Sequence, residues 1–108
     1  MTVSELAKTP DFRAVIMPDG EREILGGYAG DLLSWVMGRA SEGDAWVTIM
    51  SNVNIVAVAT LGDPSCIILS EGVIPEDEVI SRAQTYGINL LTTEKTTFSV
   101  CAELCSAL

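Results

Sequence analysis

The sequence contains no histidine. Without it no Ser–His or Cys–His nucleophile can be assembled, and no imidazole can shuttle protons near neutral pH. Bases are scarce: six Lys and Arg stand against 15 Asp and Glu, a formal charge of −9. A nucleic-acid surface needs a clustered basic patch to neutralise phosphates, and no such cluster exists here. An anionic membrane surface is disfavoured for the same reason. The two lysines, Lys8 and Lys95, do not follow a glycine, so the P-loop pattern G-x-x-x-x-G-K-[ST] cannot be written. No apolar run reaches the roughly 20 residues needed to span a bilayer. The first residues, MTVSELAKTPD, lack the charged start and apolar core of a signal peptide. Cysteines number three, an odd count without the spacing of a disulfide framework. A cytoplasmic protein with reduced thiols is expected.

Apolar residues are plentiful, at 48 %, but only 6 % of the chain is aromatic, so the core must be aliphatic. A chain of 108 residues fits one domain, residues 1–108, able to bury about two thirds of its unfolded surface. There is no internal repeat, low-complexity tract or linker.

The local patterns alternate. Residues 4–8, SELAK, suit a short helix capped by Thr2 or Ser4. FRAVIM and REILGGYAG are extended segments around the turn signal Pro18-Asp19-Gly20, read as a hairpin or a pair of adjacent strands. In GDLLSWVMGRA, Asp31 is a good N-cap, and Leu32, Leu33, Val36 and Ala40 share one helical face. With Trp35 and Met37 beside it, that apolar arc covers about half the helix, wider than one packing surface needs. DAWVTIM reads as a strand. SNVNIVAVATLGD reads as a short helix, despite its β-branched residues, because Ser51, Asn52 and Asn54 offer caps. SCIIL is a continuous apolar run of the kind buried on both faces of a parallel sheet. Pro75 and the acids Glu76, Asp77 and Glu78 suit a helix start, with Val79, Ile80, Ala83 and Tyr86 as its buried stripe and Gly87 as its end. INLLTT is a further strand. Thr96 or Thr97 caps a last helix carrying Cys101, Leu104, Cys105 and Leu108 on one face.

This order predicts a single three-layer α/β domain. It has a mostly parallel sheet of about four to five strands, preceded by a helix and a hairpin-like segment. Ligands of such sheets sit outside the carboxyl ends of the strands. Those ends carry Tyr28, Gly30 and Asp31, then Ser51 and Asn52, then Ser70, Glu71 and Gly72, then Thr92 and Thr93, which are the candidate ligand-binding residues. Asp31 and Glu71 are acids that a metal-dependent hydrolase could pair, although a cap is the commoner role for Asp31. Cys101 and Cys105, four apart on a helix, are read as small packing residues. Trp35, Met37, Arg39 and Trp46 are the candidate interface residues. No catalytic residue, metal site or cofactor is assigned.

Several segments together look like one family. They are GGYAGDLLSWVMGRASEGDAWVTIM, the block CIILSEGVIPEDEVISRAQTYGINLLTT, the Thr-led last helix, and the N-terminal TVSELAK with FRAVIMPDGEREI. In this order they resemble the DRTGG domain, over nearly the whole chain. The resemblance implies an α/β domain similar to the N-terminal domains of HPr kinase/phosphorylase and of the Mur ligases. It also implies a homodimer with a regulatory or ligand-sensing role and a small-molecule or nucleotide effector. Relatives accompany iron-only hydrogenase genes, which implies the alternative of an accessory subunit in a redox complex. Ser51-Asn52 stands where the name motif has Asp-Arg, and Ser70-Glu71-Gly72 stands where it has Thr-Gly-Gly. The expected function is thus non-enzymatic: a regulatory domain with a small-molecule or partner site at the strand ends.

Overall fold

Leu69 and its three predecessors set the architecture, because all four side chains of Cys66–Leu69 are fully buried. A computed structural model describes residues 1–108. Its elements, in chain order, are α1 (Val3–Ala7), β1 (Phe12–Ile16), β2 (Gly26–Ala29), α2 (Leu33–Arg39), β3 (Asp44–Thr48), α3 (Asn54–Gly62), β4 (Cys66–Leu69), α4 (Asp77–Tyr86), β5 (Leu90–Thr93) and α5 (Thr97–Ala107). The five strands lie in the order β1-β5-β4-β3-β2. The pairs β2–β3, β3–β4 and β4–β5 are parallel, and β1 runs antiparallel to β5. The predicted three-layer, mostly parallel sheet is present.

Alternation along the strands divides the core in two. Trp46, Ile67, Leu69 and Leu90 meet Val36 of α2, Ile55 and Val58 of α3, and Val79 and Ala83 of α4. Ala45, Val47, Cys66, Ile68 and Leu91 meet Leu6 of α1 and Val100 and Leu104 of α5. Each large aliphatic side chain buried here contributes about 1.5–3 kcal/mol. No helix is long and apolar enough to cross a membrane.

The hairpin expectation is corrected. β1 and β2 are both strands, but they form opposite edges of the sheet. The segment after the Pro18 turn pairs instead with the N-terminus. The Val3 amide donates to the Arg22 carbonyl at 3.0 Å, the Ile24 amide donates to the Met1 carbonyl at 2.8 Å, and Thr2 bridges Glu23. The chain thereby crosses the amino ends of the parallel strands. Buried Asn89 anchors this crossing: its Oδ1 accepts from the Asp19 amide at 2.9 Å, and its Nδ2 donates to the carbonyls of Asp19 at 2.7 Å and Ser65 at 3.0 Å. Arg22 adds a second tie, donating to the Asp63 carboxylate and carbonyl at 2.6 and 2.8 Å. That bond holds the Asp63 carboxyl below its ordinary pKa and raises the Arg22 guanidinium.

Helix ends follow local chemistry, with three departures. Thr2 and Glu5 form a reciprocal capping box at α1. Asn52 Oδ1 accepts from the Asn54 amide at 3.0 Å, opening the predicted third helix. Thr96 caps α5 through the Ser99 amide at 3.1 Å. Asp31, however, does not cap α2, whose N-cap is Leu32 without a side-chain bond. Pro75 precedes the N-cap Glu76 and so lies outside the first turn of α4. Tyr86 is exposed, not part of the buried stripe, because the last turn of α4 extends past the sheet-facing Val79 and Ala83.

Asn89→Ala leaves the Asp19 and Ser65 polar groups without their buried partner, a loss of about 2–3 kcal/mol. Urea unfolding should show a lowered midpoint with unchanged slope. A midpoint equal to that of the unaltered protein would contradict the anchoring role.

Candidate functional site

The carboxyl ends of the strands are built from short polar loops, and most of their groups already have partners inside the chain. On the β2–β3 side, the Asp31 carboxylate accepts from the Thr48 hydroxyl at 2.7 Å and the Ile49 amide at 3.0 Å. The Gly30 amide donates to the Val47 carbonyl at 3.0 Å, and the Gly30 carbonyl accepts from the Trp46 indole at 2.9 Å. Trp46 is only 1 % exposed, so this candidate interface residue lies in the core with no surface for a partner. The Ser51 carbonyl accepts from the Glu76 amide at 3.3 Å, and Asn52 serves the start of α3. This half of the strand ends is closed upon itself.

The turn after β4 is equally committed. Ser70 is fully buried and its hydroxyl bonds to the Thr97 hydroxyl at 2.7 Å. Glu71 adopts a left-handed backbone, φ 61°, and Gly72 follows at φ 74°. Such a conformation costs a residue with a Cβ about 1–2 kcal/mol. It aims the Glu71 and Gly72 amides at the Lys95 and Thr93 carbonyls, at 2.8 and 3.0 Å. In a phosphate loop amides like these would face the ligand. Glu71 also accepts from the Thr97 amide at 2.7 Å, so its carboxylate occupies the anion position at the start of α5. Asp31 and Glu71 therefore serve different strand ends and different partners.

The open part lies between β4, β5 and the antiparallel edge strand β1. A cavity of about 370 Å³ is lined by Pro10, Asp11, Phe12, Arg13, Gly72, Val73, Ile74, Thr92, Thr93 and Glu94. A neighbouring cavity of about 340 Å³ shares Arg13, Ile74 and Thr92 with it and adds Asp77 from the start of α4. Of the residues singled out from sequence, Gly72, Thr92 and Thr93 line this groove. Tyr28 instead borders a separate apolar trough between β2 and α5, with Cys101 and Cys105. Thr93 is tied by its hydroxyl to the Lys95 amide at 3.1 Å, whereas Thr92 faces the groove beside Arg13, its partner in the strand register.

Arg13 is the site residue that sequence reading missed. It stands in the apolar-rich FRAVI segment, where a lone base on an edge strand reads as a solvated residue. The pairing of β1 with β5 is what carries it to the strand ends. It makes no salt bridge, unlike Lys95, which lies 2.7 Å from Glu103 and 3.5 Å from Asp11. The bond to Glu103 raises the Lys95 pKa. Glu94 makes no hydrogen bond through its side chain and folds against Gly72, where a Cβ would lie 2.7 Å from its Oε2. No three Asp, Glu or Cys side chains converge as metal ligands. The groove brings the hydroxyl-bearing Thr92 and Thr93, the acids Asp11 and Glu94, and Arg13 around one cavity.

No protein-family model matches the sequence, and no curated protein matches it. A solved structure does match in fold: the CBS and DRTGG domains of the regulatory region of Clostridium perfringens pyrophosphatase, complexed with its activator diadenosine tetraphosphate. The TM-score is 0.66 at 20 % sequence identity, over 86 % of this chain. The chain spans only 40 % of the length of that one. The likeness shows a shared fold.

The three thiols differ in environment. Burial pushes Cys66 up to about 12 from an ordinary 9.0, and burial also raises Cys101, while Cys105 is exposed. A folded-state pKa above the unfolded value means stability is complete below pH 9.0 and is lost as pH rises toward about 12. At pH 8 the native Cys66 therefore stays a thiol, which is not the nucleophilic form. A thiol reagent at that pH should label Cys105 first, Cys101 more slowly, and Cys66 only after unfolding. Equal labelling rates at all three would contradict the burial described.

Proposed function

We propose that this chain is a non-enzymatic regulatory domain that senses a small molecule in the groove beside Arg13. The observation that carries this reading is an arginine without an ionic partner, held beside Thr92 and Gly72 at the carboxyl ends of a parallel sheet. Ligands of open α/β sheets are taken up at such ends. The absence of histidine removes the commonest acid–base group. The pyrophosphatase regulatory region that shares the fold is activated by a nucleotide, which supports the regulatory role without fixing the ligand. A broad metabolite screen by thermal shift is the test. At about tenfold excess over Kd, a true ligand should raise Tm by about 5 °C or more, and Arg13→Ala should cut the rise to about a third or less. Stabilisation by no nucleotide, amino acid or organic acid would refute the reading.

The second part of the proposal is a homodimer through α2. The helix exposes Leu32, Trp35 and Met37, with Trp35 and Met37 each 51 % exposed on opposite flanks of buried Val36. The Arg39 guanidinium stacks on the Trp35 ring at 3.8 Å, which orients an aromatic anchor outward. Multi-angle light scattering at micromolar concentration should give twice the chain mass, falling to a single chain for Trp35→Glu. A monomeric unaltered protein would remove the homodimer and leave the α2 face to a different subunit, as an accessory role in a redox complex requires.

A further inference from the structure

The strand-end groove holds opposite charges that do not satisfy each other. Arg13 and Glu94 line one cavity of about 370 Å³, yet they form no salt bridge within 4.0 Å, and neither side chain has any other ionic partner. The Glu94 carboxylate lies over Gly72, Arg13 pairs with Thr92 in the strand register, and both residues line the same cavity. Val73, Ile74 and the edge of buried Phe12 supply the apolar part of the lining. Asp11, the other acid of the cavity, is taken by Lys95 at 3.5 Å, and Asp77 borders the adjoining part.

This distribution selects among ligands. A polyphosphate would meet one arginine and at least two facing acids, and the turn amides that could have cradled it are bonded to Lys95 and Thr93. Glu71 already fills the anion position at α5. A purely anionic ligand would leave Glu94 unmatched, and like charges close together disfavour binding. A ligand whose carboxylate and ammonium share one carbon, with an apolar side chain branching from it, can pair with both charges and lay that side chain on the apolar lining. Its carboxylate takes the guanidinium fork of Arg13, its ammonium takes Glu94, and its side chain lies on Val73 and Ile74. Resting on the small-molecule reading above, we infer that the effector is a zwitterion of the α-amino-acid class, recognised by Arg13 and Glu94 together.

The test is calorimetric titration of the full chain with the common α-amino acids, each hit compared with its keto acid and its decarboxylated amine, and with ATP as the polyanion. The expected result is binding of one or more amino acids, with the keto acid and the amine each weaker by about tenfold or more. Arg13→Ala and Glu94→Gln should each weaken the amino acid by a similar factor. Both positions are exposed, so the unliganded Tm of each variant should equal that of the unaltered chain. Binding of ATP or of the keto acid alone, with no amino acid bound, overturns the zwitterion while keeping a small-molecule site. Equal binding of an amino acid to Glu94→Gln also overturns it. Binding of nothing in any class overturns the sensing role itself.

Discussion

Everything in this molecule follows from burying β4 on both faces. Four consecutive side chains, Cys66–Leu69, have no contact with water, so neither face of the sheet can be left bare. One face is covered by α2, α3 and α4, which are the crossovers between successive parallel strands. The other must be covered from the chain ends, by α1 and α5. That requirement places α5 directly after β5 and forces the β4–α4 turn to meet the start of α5. The tie among Ser70, Glu71 and Thr97 is the local consequence.

The same requirement decides which strand ends stay open. Loops after β2 and β3 close over their own strand ends through Asp31, Thr48 and Asn52. The turn after β4 closes onto α5. The antiparallel edge strand β1 is different, because its amino end reaches the carboxyl ends of its parallel neighbours, where no crossover loop covers it. Arg13 and the cavity beside it exist for that reason. Of the six bases, Lys8, Arg13 and Arg39 make no salt bridge, and Arg13 is the one at the open end of the sheet.

Much of the fold was legible in the sequence, because its signals are local. The apolar run SCIIL, the glycine stop at Gly87 and the caps Thr2 and Thr96 each act within a few residues. Long-range features were not legible. Pro18-Asp19-Gly20 is a turn, but only Asn89, 70 residues away from Asp19, decides that it leads across the sheet and not into a hairpin. Asp31 has the chemistry of a cap, yet Thr48 and Ile49 compete for its carboxylate. Trp46 could be read as a core or a subunit contact, and its burial, with the indole donating to the Gly30 carbonyl, decides for the core. Of the strand-end residues, those of the β4 and β5 loops reach the groove in part, and Arg13 was invisible because strand order, not spacing, brings it there.

The central claim is that the site lies on the β1–β5 side of the strand ends. Amide chemical-shift mapping of the uniformly labelled chain, titrated with a bound amino acid, tests it most directly. The account predicts perturbations clustered at Arg13, Gly72, Val73, Thr92, Thr93 and Glu94. A cluster at Tyr28, Asp31, Ser51 and Asn52 instead would contradict it.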